Sequence, residues 1–147
     1  MAKLTIHDLL NRLQKFNPEK TADDIIMRNG QDFAVSMNRQ QMIDGEDSKG
    51  NEIAPSYFSP TYSAFKNKLN PRPGLGTPDL RKTGRFQDLM KFIKKGKKYF
   101  ITSIDQKTGM LVTKYGEDIF GLDKINSQSF RNKNDKDFCD EFAKVFK

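Results

Sequence analysis

The sequence predicts an α+β domain with an antiparallel sheet of about three to four strands, N- and C-terminal helices and a long extended loop. Three observations predict it. Apolar residues recur at helical spacing at both ends of the chain, residues 44–80 turn rich in Gly, Asn, Ser, Pro and Tyr, and a lysine-rich turn separates two apolar runs after residue 86. With 147 residues, one domain spanning 1–147 is expected. It divides into an N-terminal helical arm (1–30), the long extended loop (44–80), and a strand hairpin plus C-terminal helix (81–147).

The arm begins at Thr5-Ile6-His7-Asp8, an N-cap threonine with an acid three residues on. Ile6, Leu9, Leu10, Leu13 and Phe16 form one helical stripe, and Pro18 ends it. Thr21-Ala22-Asp23-Asp24 repeats the cap signal, and Asn29-Gly30 supplies a left-handed stop for a second short helix. Phe33, Val35 and Met37 alternate as in a half-buried strand, although a helix also fits. Within the loop, the Pro- and Gly-rich stretch at 70–78 cannot hold regular structure. Its Tyr57, Phe58, Tyr62 and Phe65 argue against simple disorder and suggest ordering against a neighbouring subunit. Residues 86–93 and 99–104 are expected as two strands around Lys94-Lys95-Gly96-Lys97. Apolar segments at 110–115 and 119–122 follow. Phe138, Phe142, Val145 and Phe146 then mark an amphipathic C-terminal helix with Cys139 as a small residue near the core.

The formal charge of +7 favours an acidic partner such as DNA or an anionic protein surface. No run is long and apolar enough to span a bilayer, and no membrane partner is expected. A single cysteine excludes an intrachain disulfide or a thiolate cage. The one histidine, His7, sits at a capped helix start, which explains it better than nucleophilic catalysis does. The acidic stretch from Asp44 to Glu52 places its glycine at the seventh position, whereas a calcium loop of the EF-hand type needs it at the sixth. Residues 73–78 lack the Lys and Ser/Thr of a phosphate-binding loop. The carboxylate pairs Asp23-Asp24 and Glu117-Asp118 are adjacent and point apart. No cofactor, metal or catalytic residue is expected, and the chain is read as a non-enzyme.

Taken in order, Gln41-Met42, the turn from Gly45 through Asp47 to Ile53, the stretch from Tyr57 to Lys66, and Leu80-Arg81-Lys82-Thr83-Gly84-Arg85-Phe86 resemble the neck, tail-completion and morphogenesis proteins of tailed bacteriophages. Ser103-Ile104-Asp105-Gln106-Lys107, Lys114-Tyr115-Gly116 and Ile119-Phe120-Gly121-Leu122 are similar to the same element in proteins from phages of Bacteroidetes hosts. The resemblance covers residues 33–125, and the insert at 70–78 departs from it. It implies a structural protein of the virion neck or tail, assembled in the host cytoplasm. Such a protein works as a ring of six or twelve copies beside portal, neck or tail proteins, and beside packaged DNA.

A ring subunit must bury surface against two identical neighbours, and aromatic anchors on an extended segment serve that end. The candidate interface residues are therefore Gln41, Asp47, Tyr57, Phe58, Tyr62, Phe65, Leu80, Thr83, Gly84 and Phe86. Gly84 is expected to allow a tight turn that aims Phe86 inward while Arg81 and Arg85 face out. Arg81, Arg85, Lys94, Lys95, Lys97 and Lys98 are the candidates for contact with DNA or an acidic partner. The alternative function is a small basic nucleic-acid-binding protein. In it the cluster over residues 91–98 tracks phosphates and Tyr99 or Phe100 stacks on bases. The bland reading of the same lysines is a solvated strand face and hairpin tip.

Overall fold

A computed structural model describes residues 3–147, and the fold is α+β with a two-stranded antiparallel sheet. The expected arm is present. Helix α1 (Ile6–Lys15) opens with a reciprocal cap between Thr5 and Asp8, which satisfies backbone donors that a helix start otherwise leaves open. Helix α2 (Pro18–Asn29) starts four residues earlier than a Thr21 cap would set it, because the Asn17 side chain accepts from the Lys20 amide and Pro18 occupies the first turn.

The expected stop at Asn29-Gly30 and the strand at 33–37 are both absent. The helix runs on through a π-turn (Gly30–Ala34) into α3 (Val35–Ile43). Gly30 has φ near −59°, so it is not in the left-handed region. Extending an existing helix adds a hydrogen bond per residue fixed, whereas five alternating residues need a partner strand to become a strand. The π-turn also aims Gln31 at the sheet. Its Oε1 accepts from the Phe92 amide at 3.0 Å and its Nε2 donates to Met90 O at 3.4 Å.

Residues 44–80 are not one extended loop. Ser59 caps helix α4 (Pro60–Leu69), with Pro60 in its first turn. The stretch at 70–78 is irregular as expected. The strand expected to begin at Phe86 begins at Met90 instead. Gly84, at φ +87°, starts the short helix α5 (Arg85–Asp88). Buried Gln87 holds that turn by donating to Asp79 O at 2.9 Å, and Arg39 donates to Gln87 O at 2.6 Å. Strands β1 (Met90–Lys95) and β2 (Lys98–Ser103) pair through Gly96-Lys97. Helix α6 (Thr108–Tyr115) ends at Gly116, and helix α7 (Lys124–Ala143) is capped by Asp123.

The core gathers Ala34, Val35, Met42, Ile53, Leu80, Phe86, Met90, Phe92 and Ile119. The C-terminal stripe is covered from outside this core. Phe16 of the arm packs on Phe138 and Phe142 at centroid distances of 6.1 and 5.3 Å. Cys139, expected near the core, is exposed.

Two buried amides join α3 to the chain around 119–126. Asn38 donates to Ile119 O at 3.1 Å and accepts from the Gly121 amide. Gln41 donates to Gly121 O at 3.1 Å and accepts from the Asp123 amide and from Asn126 Nδ2 at 2.7 Å. Both Gln41 polar atoms are thus committed inside one subunit. Gln41→Ala leaves the carbonyl of Gly121 and the amide of Asn126 without these partners, and such losses cost about 1–3 kcal/mol. We expect about 2 kcal/mol from urea unfolding; a loss under about 0.5 kcal/mol would show that water replaces the side chain.

Candidate subunit interface

The segment from Tyr57 to Phe86 is tied together by a buried ion pair. Helix α4 turns Lys66 inward, and its Nζ lies 2.7 Å from Asp79 Oδ1, with side chains 9% and 4% exposed. Lys66 also donates to Arg81 O. The other Asp79 oxygen accepts from Asn70 Nδ2 at 3.1 Å, and Asn70 donates in turn to Ile43 O at 2.7 Å. The Arg81 amide donates to Asp79 Oδ1 at 3.0 Å. Burial pushes the Asp79 carboxyl up, but the bonds from Lys66, Arg81 and Asn70 outweigh it and hold the group below its ordinary range. The Tyr57 hydroxyl, 3.4 Å from Asp79 Oδ1, is raised well above its ordinary value by burial and then by the neighbouring carboxylate.

This network holds Leu80 at φ +54°, the one non-glycine residue with positive φ among the described residues. That conformation is unfavourable for a branched side chain. Leu80 and Phe86 are thereby both turned into the core, and Gly84 makes the tight turn expected of it.

Against this unit lies a groove of about 460 Å³. Its walls include Tyr57, Tyr62, Leu80 and Phe86, and α6 contributes Met110, Leu111 and Tyr115. Its rim carries Arg81, Lys82, Arg85 and Lys107. Arg85 Nε lies 3.3 Å from Asp105 Oδ2. Tyr57 and Tyr62 meet edge to face at 5.0 Å and define one wall. An apolar trough with cations at its lip suits an apolar group carried beside a carboxylate or phosphate.

Eight of the residues singled out from the sequence line this one groove: Tyr57, Tyr62, Leu80, Arg81, Thr83, Gly84, Arg85 and Phe86. Phe58 is fully exposed, and Phe65 and Leu69 are more than half exposed, forming an apolar ridge along α4 and its entry. Gln41 and Asp47 lie elsewhere. Gln41 is buried, and Asp47 folds its own turn by accepting from the amides of Lys49 and Asn51 at 2.8 and 2.9 Å. Lys94 is paired with Asp23 at 2.7 Å, while Lys95, Lys97 and Lys98 sit around the hairpin tip, away from the groove lining. The α6 residues were missed because 110–115 carries no cap or partner signal that places it beside residue 80.

The site and fold define an α+β domain bearing an apolar groove with a basic lip. Compared with known family models, curated proteins and solved structures, the chain matches none.

Proposed function

We propose that the protein is a structural component of a tailed-phage virion. It forms a homo-oligomeric ring of six or twelve copies in the neck or tail, next to portal, neck or tail proteins. The observation that carries this reading is the pairing, on one braced segment, of an exposed aromatic ridge (Phe58, Phe65, Leu69) with an apolar groove walled by Tyr57, Tyr62, Leu80 and Phe86. Two unlike apolar patches on one subunit are what a head-to-tail contact between identical copies requires, since each copy offers a different face to each neighbour. The order of the Gln41, Asp47 and Leu80-Arg81-Lys82-Thr83-Gly84 elements supports the same reading through the resemblance to neck and tail-completion proteins. On this reading the protein assembles and does not turn over a substrate, and the basic lip meets an acidic neighbour.

Light scattering of the purified protein, with electron microscopy of the protein and of virions, tests this. The expected result is a ring, or a monomer that appears as a symmetric layer in the particle, with Phe65→Glu abolishing assembly at unchanged melting temperature. A chain that stays monomeric, is missing from virions and binds DNA with a steep salt slope overturns it in favour of the nucleic-acid reading.

A further inference from the structure

The β-hairpin has one edge partly covered by a side chain, on β1, and one open edge, on β2. The Ile104 amide donates to Leu89 O at 3.1 Å, which sets the phase of the ladder. Lys91 with Thr102, Ile93 with Phe100, and Lys95 with Lys98 are then the pairs that exchange hydrogen bonds. The backbone groups of Met90 and Phe92 face out of β1, and those of Tyr99 and Ile101 face out of β2. On β1 two of the outward groups are occupied, because Gln31 accepts from the Phe92 amide and donates to Met90 O, and the Gln31 side chain lies along that edge. On β2 the amides and carbonyls of Tyr99 and Ile101 have no hydrogen-bond partner among the described residues.

A groove of about 520 Å³ runs beside this open edge. Ile93, Phe100 and Thr102 come from the sheet, with Val112 and Phe120 from the chain that follows it. Phe100 is 44% exposed and stands directly opposite Ile93 in the register. Glu117 is the one carboxylate lining the groove. Lys91, Lys95, Lys97 and Lys98 belong to the same hairpin, in which Lys94 is the one lysine in an ion pair among the described residues.

We propose that the open edge of β2 takes an extended, acidic segment of a partner protein as a third strand, with apolar side chains of that segment filling the groove. Strand addition satisfies alternating donors and acceptors at a two-residue spacing, and pockets beside the edge select the side chains. Six residues of β2 offer about 20 Å of edge. The lysine excess of the hairpin favours an acidic segment over a basic one. A nucleic acid fits less well: a phosphate backbone offers acceptors but no donors, so the outward carbonyls of Tyr99 and Ile101 would stay unmet. The proposal stands apart from ring formation through the α4 ridge.

The probe is a fluorescein-labelled nine-residue peptide of alternating valine and glutamate with blocked ends, added to the full chain. Anisotropy is expected to show micromolar binding, and amide exchange at Tyr99 and Ile101 is expected to slow at least tenfold. The same peptide N-methylated at four consecutive central residues keeps its charge but cannot pair, and is expected to bind at least tenfold more weakly. Ile101→Pro, which removes an outward amide that the β1–β2 ladder does not use, is expected to lose binding to a similar extent. If that variant unfolds by circular dichroism, the methylated peptide still decides. Equal affinity of the two peptides, or no binding at millimolar concentration, overturns the proposal. So does slowing of the same amides by a twelve-nucleotide DNA strand and not by the peptide, which assigns the edge to nucleic acid.

Discussion

Asp79→Ala is expected to destabilise the fold by about 3–5 kcal/mol, since it leaves the Lys66 ammonium buried without its counter-charge. The loss reaches beyond one pair. Asp79 also accepts from Arg81 and Asn70, so the turn that holds Leu80 at positive φ loses its brace. For a domain of this size the melting temperature should fall by about 10 °C. Lys66→Met combined with Asp79→Leu should recover much of the loss, because well-packed apolar residues can replace a buried pair at little net cost. A single-variant loss below about 1 kcal/mol would show the pair to be solvated, and no recovery in the double variant would place the loss in the bonds from Arg81 and Asn70.

The same carboxylate sets an acid limit. Its folded pKa lies below its unfolded value, so its contribution is fully present above the ordinary carboxylate value of about 4 and is lost as pH falls through the lower folded value. Tyr57 acts with the opposite sign. Its folded pKa is raised, so its contribution is fully present below about pH 10 and is lost as pH rises beyond that. The stability profile of Asp79→Ala should be flatter on the acid side than that of the unaltered chain.

Gly30→Ala is the second large effect, expected at about 3 kcal/mol, the upper end of the usual overpacking range. A methyl group at Gly30 would sit 2.1 Å from Phe92 Cδ1. Phe92 cannot simply step aside, because it is stacked on Tyr99 at 5.7 Å and meets Phe130 edge-on at 5.9 Å. The displaced backbone would also pull Gln31 from the edge of β1. Phe92→Leu in the Gly30→Ala background should restore part of the stability in guanidinium unfolding. The opposite outcome, a gain of up to about 1 kcal/mol as for a glycine in an exposed helix, would show that the ring has room to move.

Local chemistry was legible in the sequence wherever it is self-contained. The Thr5 cap, the amphipathic arm, the C-terminal helix, the turn at Asp47 and the hairpin around Gly96 all follow from residues within a few positions of one another. The α+β class follows from them too. Helix α4 was less visible, since its signal, Ser59-Pro60, lies inside a segment whose average composition is that of a loop. Six of the ten candidate interface residues converge on one groove, but its α6 wall could not be read, because nothing local sets the path of the chain after residue 105.

What only the tertiary structure decided concerns residues whose role depends on a distant partner. Asn29-Gly30 has the residue types of a helix stop, yet the helix continues because Phe92, 62 positions on, needs the space that Gly30 leaves. Phe33 to Met37 alternates like a strand, yet it is helical, and the same continuous helix meets the edge of β1 through the Gln31 side chain, with no strand ladder between them. Lys66 has the composition of a solvent-facing lysine, yet Asp79 draws it inside. The sequence by itself determined the caps, the turns and the apolar stripes, since those depend on bonds across one helical turn or one hairpin. The number of strands, the buried charge and the glycine contact arise from surfaces brought together over tens of residues, and there packing outweighs local preference.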